Sequence, residues 1–445
     1  MVLGAQEIEG DTYLRYTGSG GIVRIACIAE TCVTISSSQS ELISKGAGET
    51  MVTKALISKL FDAAYMQRWN DKLRSVDLYE LDKQAHKMVI AYFLGKFDEN
   101  EQGFSWIEII EGGIFELLQR VVLTDLKPPV LYKIKEDSAK YKELNTWVYQ
   151  QLQPAISPLG DDFCQRFTDY FSHTDESLSR RILAAAHFSA TAWEFGILER
   201  ANPSGYEMDE IKRRLEEKQE QYSDLTGMQQ LGSNSKYKAF INLCGELRFQ
   251  TRWSNLHRIP KTSVMGHLLL VAILCYLFSL EISACDQRCV NNYFTGLFHD
   301  FPEVLTRDII SPVKGAIQGL SELVKGIEKE FMKHEVYALL PREWHSQIKL
   351  FTENEFNDVA VVDGKRRKVK RQQISDSYNE DQYNPRDGTL VQAADDLAAF
   401  IEAYEAIKNG CAHEEFMEAK VQLKDKYRNA EIGDLNVGRI YADFE

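Results

Sequence analysis

Between His267 and Leu280 the chain is almost wholly apolar, and that run constrains everything around it. It is too short to span a bilayer of about 30 Å, so it is read as the buried core helix of an all-α domain. A polar imidazole at the mouth of such a helix needs a partner. The next apolar segment, YFTGLF, ends on the adjacent pair His299 and Asp300. An antiparallel helix pair would bring His267 beside them. Imidazole and carboxylate together suit one divalent transition metal, Mn, Fe, Co, Ni or Zn, better than Ca or Mg. A further ligand is expected on a third helix packed against these two. The segment VQAADDLAAFIEAYEAI supplies it: its alanines permit close packing, and Asp395 falls on the face of Val391, Ala394, Ala398 and Ile401.

The order H, HD, D then resembles the HD-domain phosphohydrolases. HDFPEVLTRDIISPVK, at 299–314, is similar to the HDxxEVxTGDxPxPVK run of the bacterial 5′-deoxynucleotidase branch, and Arg252-Trp253 is similar to that branch's RW pair ahead of the first histidine. Arg307 stands where the branch has Gly, and Gly266 where it has Glu. The similarity spans roughly residues 236–410. It implies that His267, His299, Asp300 and Asp395 hold the metal, that Glu303 orients or deprotonates water, and that Asp308 meets the sugar or the leaving oxygen. It further implies that Arg252 grips phosphate, that Trp253 stacks on a base, and that Lys314 adds positive charge. The expected activity is hydrolysis of (deoxy)nucleoside 5′-monophosphates. A dNTP triphosphohydrolase and a cyclic- or signalling-nucleotide phosphodiesterase use the same ligands. A nucleotide-binding regulatory or assembly subunit is the reading from outside enzymology.

An internal repeat organises the rest. GIFELLQRVVLTDLKPPVL at 113–131 aligns without a gap onto GLFHDFPEVLTRDIISPVK at 296–314. Arg68-Trp69 answers Arg252-Trp253, His86 answers His267, and His187 falls opposite Asp395. In the first copy Glu116 stands for His299, Leu117 for Asp300 and Arg120 for Glu303, so the ligand set and the base are gone. The chain is therefore expected to hold tandem HD bundles. Residues 1–50 form a β-rich arm, 51–205 a degenerate copy kept for packing, homo-oligomerisation or ligand sensing, and 206–235 a charged helix and a Gly/Ser/Asn linker. The catalytic copy is 236–420 with an insertion at 355–389, and 421–445 is a tail.

Composition adds exclusions. With 445 residues the chain has room for two or three domains. A net charge of −14 argues against a general nucleic-acid binder. The local exception is KRRKVKR at 365–371, behind an Asp363-Gly364 hairpin turn, read as a solvated surface hairpin or an anion-gripping loop. Eight scattered cysteines make no zinc set, and the start lacks a charged-then-apolar leader. A cytoplasmic protein without membrane segments is expected.

Overall fold

The computed structural model describes residues 4–8, 11–18, 21–26, 50–124, 126–172, 177–307 and 317–445. Two compact units result, Met1–Glu49 and Thr50–Glu445. In the first, strands β1 (Gly4–Ile8), β2 (Asp11–Gly18) and β3 (Gly21–Ala26) make an antiparallel meander. Gly18 pairs with Gly21 across the second turn, so the glycine-rich stretch is a hairpin end.

The second unit is all-α apart from two-stranded ribbons. Six helices build its centre: α1 (Glu80–Asp98), α2 (Trp106–Leu123), α3 (Leu178–Ala201), α4 (Val264–Glu281), α5 (Asp286–Phe298) and α6 (Gly388–Lys408). Helices α1 to α3 pack on one another, α4 to α6 do likewise, and α1 lies against α4. Residues from all six join one continuous hydrophobic cluster, so the two expected domains share a core.

The reason α4 sits at the centre is its composition. It is buried on every side. Among the described residues it is the one helix long and apolar enough to cross a membrane, and 94% of that window is buried inside the fold. Gly296 lets α5 close on it: a Cβ there would lie 2.7 Å from Ala272 Cα. Polar bridges also tie the halves together. Ser263, the N-cap of α4, donates to Asp82 Oδ1 at 2.7 Å, and buried Arg248 reaches Glu194 on α3.

Two expectations need correction. The stretch ending at Ser235 is not a linker: Thr226–Ser233 is a helix packed on α1. Its glycine serves packing, since a Cβ on Gly227 would stand 2.8 Å from Leu94 Cα. The end of the chain is not a tail. Glu414–Tyr427 and Val437–Ala442 are helices, and Tyr441 and Phe444 pack on Phe400 of α6 with ring centroids 4.7 and 5.6 Å away. Beyond residue 316 a helix spans Leu320–Phe331 and continues as a wider turn, Met332–Val336, and a tight one, Tyr337–Leu339. The basic hairpin forms as expected: β4 (Val359–Val362) and β5 (Lys365–Lys368) turn through Asp363 and Gly364, both at positive φ.

Candidate metal centre

Helix α4 begins where Ser263 Oγ accepts the backbone N–H of Gly266, which sets His267 on the first turn with its side chain fully buried. Helix α5 ends at His299, and Asp300 follows. Helix α6 carries Asp395, whose side chain keeps 26% of its exposure. His267 Nε2 lies 2.9 Å from Asp395 Oδ1, and His299 Nε2 lies 3.7 Å from the same oxygen. Asp300 Oδ2 is 3.3 Å from His299 Nε2. One ligand atom from each of His267, His299 and Asp395 falls within 4.8 Å of the others, and Asp300 stands at their edge.

The protonation pattern fits a cation. His299 Nδ1 is 2.9 Å from the carbonyl of Gly296 and must donate to it, because a carbonyl cannot. Nε2 is thereby left facing the two carboxylates, as a ligating imidazole requires. Burial opposes charge on His299, yet Asp300 and Asp395 outweigh burial and hold its pKa well above the usual histidine range. Asp395 moves the other way: burial would raise it, but the two histidines hold it well below the ordinary carboxylate range. A proton and a metal ion therefore compete for one place.

Behind the histidine lies a group that the sequence reading missed. Glu402, one face and two turns beyond Asp395 on α6, is 1% exposed. It accepts from Thr262 Oγ1 at 2.7 Å, Trp253 Nε1 at 2.9 Å and Arg252 Nε at 3.1 Å, and its Oε1 stands 3.7 Å from His267 Nδ1. Burial would raise its pKa; Arg252 and Arg258 win and lower it to about 2. The first half shows the same arrangement, since Glu194 engages Arg68 and Trp69 in the same way, with Trp69 Nε1 at 2.9 Å. Both tryptophans sit at positive φ, 55° and 56°.

The remaining predicted residues divide. Arg252 Nη1 reaches to 3.8 Å from Asp300 Oδ2, at the edge of the site. Trp253 is turned to packing: its ring meets Phe416 edge-on at 5.1 Å while its N–H goes to Glu402. The indole thereby braces the Arg252 turn. Glu303 opens the short helix Glu303–Thr306 and is buried. Asp308 and Lys314 lie outside the described residues.

In the first half the expected pairing shifts by one turn. His86 does not stand for His267. It meets Trp193 edge-on with centroids 4.9 Å apart and faces the Ile241 carbonyl at 3.2 Å. The residue that meets His187 is Lys83, Nζ to Nδ1 at 2.7 Å. Lys83 stands four residues beyond the N-cap Tyr79, as His267 stands four beyond Ser263. Leu117 is fully buried, and Arg120 binds Glu80 at 3.3 Å.

Residues 244–424 match the HD domain family. The C-terminal half of the chain is therefore an HD domain. Among similar proteins, a 5′-deoxynucleotidase of Pasteurella multocida is 23% identical over 192 residues, 42% of this chain and 84% of that protein. A 5′-deoxynucleotidase of Erwinia tasmaniensis is 25% identical over 188 residues, 42% of this chain and 80% of its own. A dATP triphosphohydrolase of Acinetobacter phage SH-Ab 15497 is 37% identical over 111 residues, covering 21% of this chain and 54% of that enzyme.

Proposed function

We propose that the protein releases phosphate from (deoxy)nucleoside 5′-monophosphates. The observation that carries this reading is the buried convergence of His267, His299 and Asp395, with His299 Nδ1 tied to a carbonyl so that Nε2 faces the carboxylates. Similarity to two 5′-deoxynucleotidases supports the choice of substrate.

In this reading His267, His299, Asp300 and Asp395 hold one divalent transition ion. Such an ion, when bound, polarises a phosphoryl oxygen and acidifies water. The chain does the rest. Glu402 fixes the ring of His267 and the guanidinium of Arg252 from behind. Arg252 grips the phosphate, for which a planar fork of donors is suited. Glu303 takes the proton of the attacking water. Asp308 contacts the sugar or the leaving oxygen, and Lys314 adds positive charge near the phosphate. Residues 51–205 are a degenerate HD copy that has lost this chemistry.

A second reading, release of tripolyphosphate from deoxynucleoside triphosphates, is favoured by the likeness to the phage enzyme and by the exposed cations of β5. One assay separates the two. Mono-, di-, tri- and cyclic nucleotides are incubated with Mn, Co, Mg or Zn in turn, and the released anion is identified. Orthophosphate from monophosphates supports the first reading; tripolyphosphate replaces it with the second. No release from any nucleotide refutes both.

A further inference from the structure

The first half holds an unusual group in the place where the second half gathers its imidazoles. Lys83 is fully buried, and among the described residues its one hydrogen-bond partner is the neutral ring of His187. An ammonium carries three donors, so two are left without a protein acceptor. Nearby, Lys87 Nζ binds Glu116 Oε2 at 3.0 Å, and Glu80 takes Arg68 at 2.6 Å and Arg120 at 3.3 Å. Glu194 takes Arg68 and Arg248. Five basic side chains therefore face four carboxylates, Asp82 beside Arg248 included, which leaves one positive charge unmatched when Lys83 is protonated. Burial pushes Lys83 well below the usual lysine range, and the cations Arg68 and Lys87 push the same way, so the ammonium form calls for a compensating anion beside it.

The cluster is not sealed. Glu116 and Arg120 keep 27% and 26% of their side-chain exposure, and His187 is half-buried, while Lys83 lies at the base. Partly exposed Arg120 and His187 beside a buried amine with uncompensated donors suit a compact oxyanion with several acceptor oxygens.

We propose that Lys83, Lys87, Arg120 and His187 form a second, non-hydrolytic site that binds a phosphate group, either free or carried on a nucleotide. The bound oxygens meet the spare donors of Lys83 and offset the surplus charge. Without the carboxylates and paired imidazoles of the other site, the group is held and not cleaved. Asp82, next to Lys83, accepts from Ser263 at the head of α4, so the new site adjoins the segment that carries His267.

The test uses the full chain with Asp395→Ala, which removes a residue of the HD site, and reads the part of the remaining anion binding that depends on Lys83. Inorganic phosphate and deoxyadenosine 5′-monophosphate are titrated by calorimetry, with deoxyadenosine as control. One saturable phosphate site is expected, and adding Lys83→Met weakens it by about tenfold or more, the loss of a charge-assisted hydrogen bond. Arg120→Gln, at a partly exposed position, carries the same test where Lys83→Met fails to fold. Tighter binding of the monophosphate assigns the site to a nucleotide, and equal binding assigns it to free phosphate. Absence of phosphate binding in the Asp395→Ala chain, equal binding with and without Lys83 and Arg120, or binding of deoxyadenosine alone overturns the proposal. These outcomes are read without turnover, so they stand apart from the reaction assigned to the HD site.

Discussion

Replacing Glu402 by glutamine should cost about 3 kcal/mol while leaving the shape of α6 unchanged. The carboxylate takes donors from Arg252, Trp253 and Thr262, and Arg258 Nη2 stands 4.0 Å away. An amide presents one acceptor and one donor, so two buried guanidinium groups lose their counter-charge. Removing one partner of a buried pair costs about 3 to 5 kcal/mol. A second route gives the same size. The pKa of Glu402 drops from 4.5 to about 2 in the fold, a difference worth about 3 kcal/mol at pH 7. Because the folded pKa is depressed, this stability is present above pH 4.5 and is lost as pH falls through about 2. Chelator-treated wild type and Glu402→Gln are to be compared by thermal unfolding between pH 7 and pH 3. The variant should melt about 3 to 5 °C lower at pH 7, with the gap shrinking below about half near pH 3. A gap under about 1 kcal/mol at pH 7, or one that does not change with pH, would refute the reasoning.

Three further outcomes are expected. Asp395→Ala should lower bound transition metal, by elemental analysis, from about one per chain to a trace, because it takes a charged ligand from the centre; equal metal in both proteins would sink the ligand assignment. Glu303→Gln should retain metal and nucleotide affinity while kcat falls by about a hundred- to ten-thousand-fold, and full activity would remove Glu303 from the mechanism. Gly296→Ala should destabilise by about 1 to 3 kcal/mol in denaturant melts, since its Cβ would press 2.7 Å from Ala272 Cα and 2.8 Å from its backbone nitrogen; an unchanged midpoint would mean that α4 and α5 part easily.

The candidate metal centre was legible because its residues border or interrupt apolar helices. A lone His267 ahead of a wholly apolar run, or Asp395 among alanines, has no other reason to face inward. Glu402 was less visible, since a charged residue between Ile401 and Ala403 reads as the polar side of an amphipathic helix. Only its repeated partnership with an Arg-Trp pair marks it. The one-turn error at His86 has a similar root. Lys83 and His86 lie on neighbouring faces of α1, and side-chain chemistry favoured the histidine while the distance from the helix cap favoured the lysine. The stretch at 226–233 misled for another reason: glycine and serine suggest a loop, but small residues also let one backbone approach another, as Gly227 does at Leu94. Neither packing partner is encoded near in sequence.

The full burial of α4 bears on how the chain is made. Its window is apolar enough for a bilayer, so a ribosome that released it alone would present the cell with what looks like a membrane anchor. The order of the chain guards against this. Helix α1, which packs along α4, is synthesised more than a hundred and fifty residues earlier, and domains begin to fold from the amino end as they emerge. The first half thus provides a waiting surface before the hazardous segment appears. Cutting the chain near residue 236 to isolate the HD half would remove that surface, and the fragment should aggregate or be inserted into lipid.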